Sequence, residues 1–352
     1  MLIINCGSTS TKLALYSGEL LIAEENIRHD SSELTSSAFV TDQHDMRKRA
    51  VLDFLIRHDT DPASLDIVIS RGGSTLPVEG GAYAVNDVMY DRLKNRPFVQ
   101  HAGILGPVIA REIADAAGAG AYVYDSPAVD EMTEIAKISG MKELDRPSLI
   151  HTLNTRYTAR LVCEKRGSNY GESNIIAAHM GGGITIGLHH NGRITDVVND
   201  AEGPFSPDRA GGVNSRLLVD LCFSGKYADA ASVHRIMRGG GGVMSYLGTT
   251  DMKSVEEKAD QGDEFAALIF DAMSYQIAKG IASLAPVVCG KIDFILLTGA
   301  MANSRRLTDD LEKRLSFLGP VEIIPGDREM EALHRGGMEI LSDPSSVKEY
   351  KE

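Results

Sequence analysis

The sequence predicts an α/β protein made of two duplicated domains, and three observations carry that expectation. Residues 2–4 are apolar, 7–11 are small and polar, and 12–16 have strand-forming character, so the chain opens as strand, tight loop, strand. The same design returns at residues 175–188, which read Ile-Ile-Ala-Ala-His-Met-Gly-Gly-Gly-Ile-Thr-Ile-Gly-Leu. With 352 residues and 43% apolar content, the chain exceeds one typical domain and can bury two cores.

The totals narrow the function classes. A formal net charge of −13 argues against a general binder of nucleic acid or anionic membrane, since those partners need a basic face to release counterions. An anionic substrate would then need a locally positive pocket. Cys6, Cys163, Cys222 and Cys289 are scattered, with no C-x-x-C pair, which fits neither a zinc site nor a disulfide framework and leads to an expected cytoplasmic location. The first residues lack a signal-peptide pattern, and no apolar run approaches the roughly 20 residues that span a bilayer.

The opening loop is the first functional candidate. Gly7 lets the backbone bend, Ser8, Thr9, Ser10 and Thr11 offer hydroxyls and amides, and Lys12 adds a point charge, a combination suited to a phosphoryl group. A P-loop is a poor match, because no second glycine precedes Lys12 and the loop leads into a strand. An ordinary Ser/Thr-rich hairpin turn is the alternative. A third strand is expected over 20–27, a loop over 28–37, a helix over 47–57 and a strand over 65–70. Arg71 then stands at a strand end before Gly72-Gly73, where ligands collect in open α/β sheets, unless it is simply a solvated loop residue. A helix over 101–118 and a strand over 121–124 lead to Asp125, either a site carboxylate or the N-cap of a segment after Pro127.

In the second half, residues 190–192 (His-Asn-Gly) form a hairpin turn and 193–199 a third strand. The repeat is one of pattern, with few identical residues. Facing duplicated domains would set the 8–12 loop and the 179–183 loop on opposite walls of a cleft suited to a nucleotide. Residues 200–212 read as a structured loop with Arg209 near its end, 239–242 as a four-glycine turn and 263–285 as a long helix. A buried-type strand over 294–300 reaches Gly299, where a flat base or ribose could approach the backbone, and a helix is expected over 306–318. After a strand over 321–324, Glu329 and Glu331 open a helix; a metal role and simple dipole complementarity both explain them. His151 reads equally as a core histidine and His179 as a structural hydrogen-bonding one, while His189-His190 is expected in an exposed turn.

With these residues laid out, the chain resembles the acetate and butyrate kinase family, within the superfamily of sugar kinases, actin and heat-shock chaperones. The resemblance spans nearly the whole chain. It rests on Asn5-x-Gly7-Ser8-x-Ser10-x-Lys12, Arg71-Gly72-Gly73, Asp125, His179-Met180-Gly181-Gly182-Gly183, residues 202–211 (Glu-Gly-Pro-Phe-Ser-Pro-Asp-Arg-Ala-Gly) and Leu297-Thr298-Gly299. The Gly-Pro-Phe-Ser-Pro form resembles the butyrate kinases; acetate kinases carry an Asn at the position of Gly182 and Met-Gly-Thr-Arg in place of residues 206–209. Ala300 departs from a frequent second glycine, and 301–303 from the usual continuation.

The resemblance implies two ribonuclease-H-like (βββαβα) domains facing across a nucleotide cleft, one from residues 1–147 plus 331–352 and the other from 148–330. It implies ATP/ADP and Mg²⁺ as cofactors, with Asn5 and Glu329 toward the metal. Ser8, Ser10 and Lys12 would lie near the phosphates, and Arg71 would bind the carboxylate or acyl phosphate. Asp125 would be an acid/base or orienting group, and His151 and Arg209 would stabilise the transferring group. His179, Gly181, Gly182 and Gly183 would meet the nucleotide phosphates, and Asp251, Met252, Lys253, Gly299, Ala300 and Asn303 would lie near the nucleoside. The implied activity is phosphoryl transfer between ATP and a short-chain carboxylate, butyrate first and acetate, propionate or branched acids as alternatives, in a homodimer or larger assembly. A nucleotide-switched binding protein on the same scaffold is the rival of another class; Arg71 with Arg209 speaks against it, since a pure ATP switch needs no second anion site.

Overall fold

The computed structural model describes residues 1–35 and 39–352, which divide into two compact units: Met1–Asp130 with Arg328–Glu352, and Glu131–Asp327. Each unit holds one mixed sheet with helices around it.

In the first unit β1 (Leu2–Cys6), β2 (Ser10–Ser17) and β3 (Leu20–Arg28) form an antiparallel meander. Next come β4 (Ile67–Ser70), β5 (Ala82–Ala84) and β6 (Gly120–Tyr124), giving the order β3-β2-β1-β4-β6-β5. β1 pairs parallel with β4, and β4 parallel with β6. Every residue of β1 and β4 is buried, as expected of central strands covered on both faces, whereas edge strand β3 is mostly exposed. The helices His44–Arg57 and Leu105–Ala117 supply Val51, Phe54, Val108 and Ile109 to the core, and Tyr350 closes it from the chain end.

The second unit repeats the plan. β7 (Asn174–Met180), β8 (Ile184–His190) and β9 (Arg193–Val198) form the meander, β10 (Phe294–Gly299) and β11 (Val321–Pro325) add in parallel, and the order is β11-β10-β7-β8-β9. The β8–β9 turn uses Asn191 and Gly192, both at positive φ (51° and 78°), the twist a two-residue hairpin requires. Both sheets therefore share one strand order around three antiparallel and two parallel strands, the ribonuclease-H-like arrangement, with β5 as an extra edge in the first.

Several boundaries and elements differ from the sequence expectation. The units divide at 130/131 and 327/328, not at 147/148 and 330/331, because Glu131 pairs with Arg156 (2.6 Å) and accepts from the Ile194 amide, while Met132 and Ala136 pack on Ile150 and Val197. Ser31–Thr35 is a short helix within the expected 28–37 loop, whose residues 36 and 37 lie outside the described residues. Strand β5 and the helix Asp87–Asn95 had no expectation attached. No helix begins directly after Pro127, so Asp125 is not a cap; the next helix starts at Glu134. His189 is wholly buried rather than in an exposed turn, its Nδ1 sharing a 2.9 Å hydrogen bond with Tyr170 Oη. No helix among the described residues is long and apolar enough to cross a membrane.

Candidate active site

The first unit gathers polar residues at the carboxyl ends of its parallel strands, where the backbone stops pairing and side chains turn outward. Asn5 lies in β1, Arg71 follows β4 and Asp125 follows β6. Asn5 Nδ2 donates to Glu329 Oε2 at 2.7 Å across 324 residues of sequence, and Arg71 Nε approaches Glu329 Oε1 to 2.8 Å. The Arg71 contact is close but off line, so Nε lacks an aligned hydrogen bond. Glu329 opens the helix Glu329–Ser342, whose N-terminal dipole favours a carboxylate there. Asn5 and Glu329 are both buried.

The glycines after Arg71 are sterically required. Gly72 has φ +84°, and a Cβ on Gly73 would sit 2.7 Å from the Ile104 backbone. Asp125 is also buried and left-handed (φ 42°), with Oδ1 accepting from the Gly81 amide at 2.8 Å. Few non-glycine residues hold such a backbone, and those that do cluster at functional positions.

In the opening hairpin Gly7 N donates to Ser10 O at 2.8 Å, closing the turn, and Ser8 and Thr9 are exposed. Lys12, paired in register with Asn5, makes no ion pair among the described residues. Beneath the loop lies Arg47, a residue the sequence reading passed over. Its Nη1 donates to Ser10 O (3.0 Å) and Thr11 Oγ1 (3.1 Å), and its Nη2 donates to Ser8 O (3.2 Å) and Gln43 Oε1 (3.0 Å). The signal was present: Arg47 shares the helical stripe of Val51 and Phe54, and a cation on an apolar face needs a reason.

The second unit carries its own group. Turn residues 181–183 join β7 to β8, with Gly181 N donating to Gly183 O at 3.0 Å and Ser206 Oγ donating to Gly182 O at 2.6 Å. The Arg209 guanidinium lies against Gly183, where any Cβ would collide with it. Arg209 pairs with Asp200, which also takes Arg238 Nη2 at 3.0 Å. Beside the turn, the His151 and His179 rings stack at 3.9 Å between centroids. Asn154 Nδ2 donates to His179 Nδ1 at 2.8 Å, which assigns the ring proton to Nε2, and His151 Nδ1 bonds Thr185 Oγ1 at 2.9 Å.

A cavity of about 730 Å³ opens in this unit, lined by Gly181, Gly182, Asp208, Met252, Lys253, Ala300 and Asn303 among others, with room for a nucleoside and its phosphates. Glu256, Glu257 and Asp260 of the helix Met252–Asp260 also line it; the sequence reading did not single them out, because nothing in one helical turn tells which face meets a cavity.

Three nucleotide candidates have other work in this structure. The Asp251 carboxylate caps the helix it precedes, accepting from the Lys253 and Ser254 amides. Gly299, at φ +90°, lets β10 pass against the Met180 backbone, and Gly183 seats Arg209; neither lines the cavity.

For magnesium, the donor set in the first unit is one carboxylate (Glu329) beside one carboxamide (Asn5). That suits an ion that takes one or two carboxylates with substrate phosphates and retained waters. Among the described residues no three His, Cys, Asp or Glu side chains form a metal cage.

A model of the acetokinase family matches residues 146–350, more than half of the chain. In overall architecture the chain is similar to acetate kinase from Porphyromonas gingivalis (18% identity, covering 97% of this chain and 99% of that one, TM-score 0.79). It is similar also to a propionate kinase from Francisella tularensis subsp. tularensis SCHU S4 (16%, 95% and 97%, TM-score 0.76) and to acetate kinase from Entamoeba histolytica (17%, 95% and 98%, TM-score 0.74). At these identities the likeness is one of fold.

Proposed function

The chain belongs to the acetokinase family of carboxylate kinases, and from that premise we propose that it is an ATP-dependent butyrate kinase, transferring the γ-phosphoryl group in line to butyrate to give ADP and butyryl phosphate. The observation that supports this most is the Asn5, Arg71 and Glu329 cluster, a carboxamide and a guanidinium at adjacent parallel strand ends beside a carboxylate from a helix start. A carboxylate acceptor is already a nucleophile, so the work is to bring two anions together and offset charge on the transferring group.

In this reading Arg71 takes the carboxylate or the acyl phosphate, and Asp125 orients groups beside it. Ser8, Ser10 and Lys12 cradle phosphate. Arg209 and His151 face the charge that develops on the equatorial oxygens, and His179, Gly181, Gly182, Met252, Lys253, Ala300 and Asn303 serve the nucleotide. Magnesium, held by Glu329 and Asn5 together with phosphate oxygens, would supply further charge compensation. A cytoplasmic homodimer or larger assembly is part of the same proposal.

The choice of a four-carbon acid rests on residues 203–207, Gly-Pro-Phe-Ser-Pro. Each methylene buried in an apolar pocket is worth about 0.8 kcal/mol, so discrimination should be visible in kcat/KM across a homologous series. Kinetics of purified protein with straight and branched acids of two to six carbons should place the maximum at butyrate. A maximum at acetate or propionate would reassign the substrate within the family.

A further inference from the structure

Arg47 is wholly buried, yet among the described residues no carboxylate pairs with it. Burying a guanidinium without an anion is costly, and such charges are normally paired. The groups around it are not anions either. Burial followed by the Arg47 charge pushes His29 down, so its ring stays neutral. Gln43 Oε1 accepts from both Nε (3.2 Å) and Nη2 (3.0 Å), a neutral brace that fixes the plane of the fork.

What the fork holds is the loop itself. Three successive carbonyls of the opening hairpin are tied down: Ser8 O by Arg47 Nη2, Thr9 O by the His29 amide at 3.0 Å, and Ser10 O by Arg47 Nη1 together with Gly7 N. Carbonyl oxygens are the groups that repel phosphate. Binding them on the inner side leaves the exposed Ser8 and Thr9 to present hydroxyls and amides outward. A positive charge with no neutralising partner behind that surface strengthens its attraction for anions in a low-dielectric setting.

We propose that Arg47 is a positioning residue for the transferring phosphoryl group: it fixes the Ser8 and Ser10 carbonyls inward and places an un-neutralised charge behind the loop. The proposal rests on the carboxylate-kinase reading and adds to it a residue that never touches substrate. A purely structural arginine would lower stability and spare substrate discrimination. A positioning one loses selectively for the phosphorylated acid.

The test compares wild type, Arg47→Gln and Arg47→Lys for melting temperature, ADP affinity by titration calorimetry, and kcat/KM for butyryl phosphate in the ATP-forming direction. Arg47→Gln should keep ADP affinity within about twofold and lose about 100-fold in kcat/KM for the acyl phosphate. Arg47→Lys, which restores the charge without the two-pronged clamp, should lose only about tenfold. Unchanged acyl-phosphate kinetics in either folded variant, or an equal loss in both, overturns the proposal. If Arg47→Gln does not fold, Arg47→Lys decides alone: a tenfold selective loss supports it, and wild-type kinetics refute it. A wild type inactive on every acid and acyl phosphate refutes the carboxylate-kinase reading instead, so the two failures are distinct.

Discussion

His189 illustrates how much a single buried group sets. Burial, then the charges of Arg156 and Arg160, lowers its pKa from 6.5 to about 3, and its Nε2 has no hydrogen-bond partner among the described residues. The folded state therefore resists protonation that the unfolded chain accepts. Stability from this group is complete above pH 6.5 and is lost as pH falls toward 3, at up to about 1.4 kcal/mol per pH unit. His189→Gln should flatten the dependence of melting temperature on pH between 4 and 6.5; an unaltered slope would show that other groups govern it. The sequence suggests an exposed turn for His189, whereas the residue is buried within β8, because which face a strand residue takes depends on what packs above it. Arg47 was opaque for the converse reason: the stripe it shares with Val51 and Phe54 was visible, while the carbonyls it binds come from a segment more than thirty residues away.

Among elements, the hairpins were the legible part. Short strand-forming runs separated by glycine-bearing turns mark β1 to β3 and β7 to β9 within one or two residues. Strand β5, three residues long, and the helix Asp87–Asn95 lack a periodic signal strong enough to find. The glycines show what sequence leaves undetermined, because equal residues have unequal tasks. Gly299 is left-handed and abuts the Met180 backbone, whereas a Cβ on Gly182 would meet only Asp208 Oδ1 at 4.0 Å. Gly299→Ala should therefore cost about 1–3 kcal/mol in denaturant unfolding. Gly182→Ala should keep wild-type stability and weaken ADP binding, since Gly182 lines the cavity. Equal destabilisation by the two would contradict this assignment.

For the whole molecule, the duplicated plan could be read from one chain because both halves open with the same hairpin, and the two sheets share their five-strand order. The boundary could not, since residues 131–147 contain few apolar anchors and are claimed by the second unit through Glu131, Met132 and Ala136. The polar residues at strand ends were legible for a physical reason: parallel strands are apolar throughout, so Arg71 and Asp125 stand out where they stop. Glu329 was legible only as one of two readings, because a carboxylate at a helix start is ordinary until Asn5 and Arg71 are seen beside it.

The central claim is that the acceptor of the phosphoryl group is a carboxylate. Phosphorus NMR of purified protein with ATP, Mg²⁺ and butyrate tests it directly. The account predicts an acyl phosphate resonance growing in step with ADP and absent without the acid; ADP and inorganic phosphate forming at the same rate with or without the acid would contradict it.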